Sequence, residues 1–219
     1  HREELSEFLN IPSCDSYDDL LNLNLDYIVE ATNPQATKDI LEKTLERKVN
    51  VILLSIGALS DREYYEHIKD LCIKNNVRVH LASGAISGFE VLKTAQIMGL
   101  TKASLTNTKG PNALKKTSLY NKNMLIKEDV AFLGSAKEAI NNLPTGINVG
   151  VATALATMGV DDTIIKIQTK PNFVGDSQCI DFECGDEIKG HLDLYSKTSD
   201  IAGYSVVDLL NNLLSPIVF

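Results

Sequence analysis

The segment Val49–Ile56 is an almost unbroken apolar run. A strand that apolar must be covered on both faces, which is the condition of strands in parallel sheets. The neighbouring chain supplies the cover. Tyr27–Ala31 reads as a short buried strand, and Asn33-Pro34 then opens a helix, with Asn as cap and Pro at the first helical position. Ile40, Leu41 and Leu45 give that helix an apolar stripe. Ser60-Asp61 caps the next helix, which turns Tyr64, Ile68, Leu71 and Cys72 inward. Val77–Leu81 is a further strand, and a helix is predicted from Ile86 to Met98. Strand–helix alternation with short loops dictates right-handed crossovers and a doubly wound α/β sheet.

Ahead of this unit, Arg2–Asn10 reads as a helix with Leu5, Phe8 and Leu9 on one face. Ser16 caps a second one, with Asp19 three residues on. After residue 98 the pattern changes. Ala136–Leu143 and Val149–Met158 read as helices. Thr163–Lys170, Ser177–Cys184 and Glu187–Leu194 alternate apolar and polar residues, as half-buried strands do, and Gly185 turns the last two into a hairpin. A closing amphipathic helix turns Val206, Leu209, Leu210 and Leu213 inward. The expected architecture is α/β: an incomplete doubly wound (Rossmann-type) parallel sheet with a second, smaller α+β domain. Residues 1–98 with the helix of 199–219 form the first unit, and 99–198 the second.

A net charge of −8 argues against a nucleic-acid partner, which calls for clustered Lys and Arg. No apolar run approaches the ~20 residues that span a bilayer, so no membrane partner is expected. Cys14, Cys72, Cys179 and Cys184 form no CxxC pair, so no metal site is expected, and thiols scattered in this way suit a reducing cytoplasm. Cys179 and Cys184, five apart on a strand, point to opposite faces.

Doubly wound sheets take ligands beyond the carboxyl ends of their strands. Those ends are Glu30–Pro34, Ser55–Ala58 and Ala82–Ala85, rich in small and hydroxyl residues. Ala31, Thr32, Asn33 and Pro34, with Ser55, Gly57 and Ala58, are therefore candidate cofactor contacts, although Asn33-Pro34 also serves simply as a helix start. Ser83, Gly84, Ala85 and Ile86 offer backbone N–H groups for a substrate carboxylate, or form a tight strand-to-helix turn. Among the histidines, His1 is terminal, His67 sits in an acidic helix and His191 lies on the polar face of a strand. His80, three residues before Ser83, is either a structural or a catalytic histidine.

Several segments, in order along the chain, resemble the L-aspartate dehydrogenases: Asp26–Ala36, Ala82-Ser-Gly-Ala-Ile-Ser-Gly-Phe-Glu-Val-Leu92, Phe132–Ala139, Leu143-Pro-Thr-Gly-Ile-Asn-Val-Gly-Val-Ala-Thr-Ala-Leu-Ala156 and Ser196–Ser199. The resemblance implies oxidation of L-aspartate through iminoaspartate to oxaloacetate and ammonia, with NAD or NADP as cofactor, by a homodimer. It adds Asn148 to the cofactor contacts and Lys197 and Thr198 to the substrate contacts, and it draws attention to Lys109. It also exposes departures. The Gly-rich turn of the family has no match, and the expectation is that a further strand–turn–helix–strand precedes His1 in the gene. The family carries a His two residues beyond an Asn, shortly after an Asp-Pro. Here the matching stretch is Lys170–Gln178, with Asp176 for the Asn and Gln178 for the His. Gln cannot accept a proton near neutral pH, so Gln178 occupies the catalytic position without its chemistry, and His80 is the next candidate base. Tyr195-Ser196 replaces the Asn-Pro that precedes Lys-Thr-Ser. A related dehydrogenase, such as one for homoserine, and a non-catalytic binding homologue remain alternatives.

Overall fold

The computed structural model describes residues 2–143 and 146–218. His1, and Pro144 and Thr145 of the fourth resembling segment, lie outside the described residues. Two sheets organise the chain. The first has three parallel strands in the order β1-β2-β3: β1 (Tyr27–Glu30), β2 (Asn50–Leu53) and β3 (Val79–Leu81). Helices α3 (Pro34–Glu46) and α4 (Arg62–Asn75) make the crossovers. Their starts follow the predicted chemistry. Asn33 Oδ1 accepts from the N–H groups of Gln35 and Ala36, and Asp61 caps α4 by accepting from Tyr64 N–H. β2 is the buried centre: Val51, Ile52 and Leu53 have no exposed surface. β1 is less covered than its sequence suggests, since Val29 is 44% exposed at the edge of the sheet.

The second sheet has the larger number of strands. Its five strands run in the order β5-β6-β4-β7-β8: β4 (Lys102–Lys109), β5 (Asp129–Ser135), β6 (Ile164–Thr169), β7 (Asp176–Cys184) and β8 (Ile188–Ser196). β4 and β6 are parallel and the remaining pairs antiparallel. Gly185, with φ of +54°, turns β7 into β8. The strand β5 had no clear sequence signal; its residues alternate poorly between buried and exposed, and a register shift falls between Val130 and Phe132.

Three further helices join the sheets: α5 (Phe89–Ile97), α6 (Ala136–Asn142) and α7 (Asn148–Ala156). α7 is apolar around its whole circumference, as a helix enclosed by protein must be, and Val151 and Ala154 are fully buried. It packs on the short turn Ile56–Ser60 after β2, on α5 and on β4. One continuous hydrophobic cluster therefore runs from Leu41 and Leu53 in the first unit to Ile165 and Ile180 in the second. The closing helix α8 (Asp200–Leu214) returns to the opposite face of the first sheet, where Val206 meets Ile52 and Ala82. Two leading helices complete the chain: α1 (Arg2–Leu9), and α2 (Tyr17–Leu21), which carries the predicted capping box of Ser16 and Asp19. The α1 stripe is exposed instead of packed, with Phe8 84% accessible.

Candidate active site

At the carboxyl ends of β1 and β2 a buried side chain ties the two loops together. Glu30 is 1% exposed. Its Oε1 accepts from the N–H and hydroxyl of Thr32, each at 2.6 Å, and its Oε2 accepts from Ser55 N–H at 3.1 Å. A buried acceptor kept company by three donors is satisfied locally, so it holds the loops without needing a ligand. Two residues further along, Gly57 N–H donates to Asn148 Oδ1 at 3.0 Å. The structure thus joins Thr32, Ser55, Gly57 and Asn148, although Asn148 lies 91 residues beyond Gly57. Ala58 is buried in the turn that follows, while Ala31 and Pro34 flank Thr32 and Asn33 in the loop and first helical turn.

On the second sheet, polar residues occupy a face that sequence alternation assigns to the core. Ala103 and Leu105 of β4 are buried, and Asn107 and Lys109 continue their side of the strand. Across the ladder, Asn107 pairs with Gln178 and Lys109 with Asp176. Asn107 Nδ2 reaches Asp176 Oδ1 at 3.4 Å and the Ser177 carbonyl at 3.3 Å. Lys109 Nζ lies 3.6 Å from Asp176 Oδ1, and its side chain is only 13% exposed. Gln178 is 6% exposed, and among the described residues its Oε1 is a buried oxygen with no hydrogen-bond partner. Leaving an acceptor unmade in the interior costs about 1–3 kcal/mol, so such an atom calls for a donor that arrives from elsewhere. Asn107 and Asp176 escaped the sequence reading as site residues. The legible signal was Asn107 and Lys109 prolonging an apolar strand face.

Two close approaches draw further candidates to this region. Gly175 has φ of +87°, and a Cβ there would sit 2.2 Å from the Ser196 carbonyl and 2.8 Å from Lys197 Cα. Only glycine fits, and it brings the Ser196–Lys197 backbone against the start of β7. Gly88, with φ of +90°, lets the segment after Ser83–Ile86 pass Leu192, whose Cδ1 would lie 2.9 Å from a Cβ at that position. Leu192 shares its strand face with Leu194, the register partner of Gln178.

Other expectations change. The turn Ser83–Ile86 is not a helix start: α5 begins at Phe89, because Gly88 adopts a left-handed conformation that breaks the helix before it. Gly84 N–H is occupied, donating to Ser205 Oγ of α8 at 3.1 Å, and Ile86 is buried. The cap of α8 also differs. Ser199 stands at the cap position in a helical conformation and makes no side-chain bond there, while Thr198 Oγ1 accepts a long 3.4 Å bond from Asp200 N–H. Lys197 and Thr198 are exposed. Lys109 is the last residue of β4.

His80 is placed apart from Gln178. It pairs with Ile52 on the side of the sheet that packs on α8, and its ring lies 6.0 Å from that of Tyr27. Partial burial, and then the Arg78 charge, hold its pKa below the ordinary value of 6.5. It lines a cavity of about 650 Å³ that also takes in Leu59, Ile68, Phe89 and Leu155. That cavity is walled mainly by apolar side chains along β3. The polar groups converge instead at the strand ends and on the Asn107–Gln178 pair, which form the candidate site.

Comparison with known proteins matches the chain in two stretches. The family model "Aspartate dehydrogenase, C-terminal" matches residues 90–213, more than half the chain. An L-aspartate dehydrogenase of Methanospirillum hungatei is 30% identical over 225 residues, covering 100% of this chain and 85% of the relative. The chain belongs to the aspartate dehydrogenase family. The front of the chain has its own match: residues 1–82 fit the model "Homoserine dehydrogenase, NAD binding domain". The aspartate dehydrogenase of Thermotoga maritima shares the fold with a TM-score of 0.81 at 24% identity, over 95% of this chain and 83% of that one. A homoserine dehydrogenase of Thermoplasma acidophilum shares it more loosely, with a TM-score of 0.58 at 14% identity over 99% of this chain and 84% of that one.

Proposed function

We propose that this member of the aspartate dehydrogenase family oxidises L-aspartate with NAD or NADP, giving iminoaspartate, which water converts to oxaloacetate and ammonia. The observation that carries the reading is the open Oε1 of Gln178, buried beside a lysine and a carboxyl group. An amine is the donor such an atom lacks, and a dicarboxylate is the ligand that adjoining cations favour.

Thr32, Ser55, Gly57 and Asn148 fit the nicotinamide end of a dinucleotide. Thr32, Ser55 and Gly57 follow the carboxyl ends of parallel strands, where small side chains allow close approach to the backbone, and Asn148 reaches Gly57 from the start of α7. A nicotinamide bound there would supply the acceptor for the hydride that leaves the substrate Cα. The protein supplies orientation and proton handling. Gln178 Oε1 accepts a hydrogen bond from the substrate nitrogen and fixes which face of Cα is presented. Lys109 and Lys197 receive the two carboxylates, helped by the Thr198 hydroxyl. Because Gln178 cannot take the proton that the nitrogen releases, Asp176 is the acceptor, held by Lys109 and Asn107. Ser83–Ile86, drawn toward β8 through Gly88, encloses the substrate from the other side.

A substrate panel tests the proposal. L-Aspartate should reduce the nicotinamide cofactor with release of ammonia. L-Homoserine, which lacks the second carboxylate, should be turned over more slowly at equal concentration. Faster turnover of L-homoserine, or no reduction with either substrate, would contradict it.

A further inference from the structure

One face of the β7–β8 hairpin looks away from the core. Strand alternation puts Cys179 and Asp181 of β7 on it, with His191 and Asp193 of β8. The register sets Asp181 opposite His191 and Cys179 opposite Asp193. Opposite and diagonal side chains on one face of an antiparallel pair come within reach of each other. Cys179 Sγ lies 3.7 Å from Asp181 Oδ2 and 3.7 Å from His191 Nδ1, and His191 Nδ1 lies 2.7 Å from Asp181 Oδ1. The reaction proposed above uses none of these groups.

Stability does not account for the cluster. The His191 and Asp181 side chains are 59% and 58% exposed, and ion pairs that open to water contribute little. The surroundings of the thiol do not favour a nucleophile either. Partial burial, and then the charges of Asp181 and Asp193, push the Cys179 thiol up to about 11, whereas a nucleophile needs a depressed value. Negative groups around a thiol and an imidazole suit a cation.

We propose that Cys179, Asp181 and His191 form a binding site for a divalent metal ion of the zinc class. Sulfur, imidazole nitrogen and carboxylate oxygen together are the donor set of that class and not of calcium or magnesium. Around a tetrahedral ion with bonds of about 2.0–2.3 Å, ligand atoms stand about 3.3–3.6 Å apart. The candidate ligand atoms of the three side chains already lie within 4.8 Å of one another. Small side-chain rotations bring the two sulfur distances in and open the Asp181–His191 contact. Asp193 or a water takes the fourth position. Binding exchanges the thiol S–H bond for a sulfur–metal bond and releases the proton to the buffer, while His191 binds as the neutral ring. β7 is flanked on both sides, by β4 and β8, so the backbone that carries two of the ligands is held before the ion arrives.

Cobalt(II) is the probe. The reduced, chelator-treated full chain, titrated with one equivalent, should develop the intense visible bands of four-coordinate cobalt and a near-ultraviolet thiolate-to-cobalt band. Cys179→Ser should abolish the thiolate band, and Cys14→Ser and Cys72→Ser should leave it intact. His191→Ala should weaken zinc binding in calorimetry by roughly tenfold or more. Both target residues lie on an exposed face, and circular dichroism of the metal-free variants checks that the fold survives. No thiolate band at one equivalent, the same band in Cys179→Ser, or unchanged zinc affinity in His191→Ala would each overturn the site.

Discussion

Gln178 carries the chemistry that most distinguishes this chain. It lies on the inner face of β7, where the proposed reaction places the substrate, yet an amide can orient but not exchange protons. Gln178→His should therefore raise the turnover of L-aspartate by roughly 10²-fold, the lower end of what a positioned acid–base group contributes. The gain should depend on pH near the ordinary histidine value of about 6.5. Unchanged turnover, or a gain without pH dependence, would show that proton transfer is not what the amide lacks. His80 makes a different prediction, about stability. Burial first, and Arg78 second, hold its pKa below 6.5 in the folded chain, so the unfolded chain binds the proton first. Folded stability is then complete above pH 6.5 and declines as pH falls from there toward the lowered value. Comparing melting temperatures of His80→Gln and the parent protein across that range isolates the effect. The difference should shift in favour of the variant as pH falls below 6.5, and a difference that does not change with pH would contradict the assignment.

Among the elements, α7 links the two halves of the site. Its first residue, Asn148, receives Gly57 N–H, and its body packs between the Ile56–Ser60 turn and β4. Asn148→Ala leaves the Gly57 donor unpaired, costing about 1–3 kcal/mol if water does not replace the bond. NAD(P)H binding should weaken by about tenfold, the equivalent of ~1.4 kcal/mol. Titration by the fluorescence of the reduced cofactor checks this, and unaltered affinity would place the cofactor elsewhere. The parallel strands, the α3 and α4 caps and the Gly185 hairpin were legible because each rests on local chemistry: an apolar run, an Asn-Pro, an Asp, a glycine. What stayed hidden depends on pairing. Asn107 becomes a site residue only because β4 lies beside β7, and Cys179 meets His191 only through the hairpin register. The helix predicted from about Ile86 begins at Phe89 for a local reason, since the left-handed Gly88 outweighs the apolar pattern that surrounds it.

Across the whole molecule, a three-stranded parallel unit and a five-stranded mixed sheet share one core, and the proposed reaction places substrate and cofactor between them. None of the described helices is long and apolar enough to cross a membrane. In the proposed reaction Glu30 and Asn148 brace the cofactor side and Asn107, Lys109, Asp176 and Gln178 the substrate side, so the two ligands should meet with the substrate Cα facing the nicotinamide. The most direct measurement uses L-aspartate that carries deuterium at Cα, oxidised by the protein with NAD or NADP, followed by mass spectrometry of the reduced cofactor. Direct hydride transfer from Cα should give one deuterium per reduced nicotinamide and a slower rate than with ordinary L-aspartate. Reduced cofactor that carries no deuterium would contradict it.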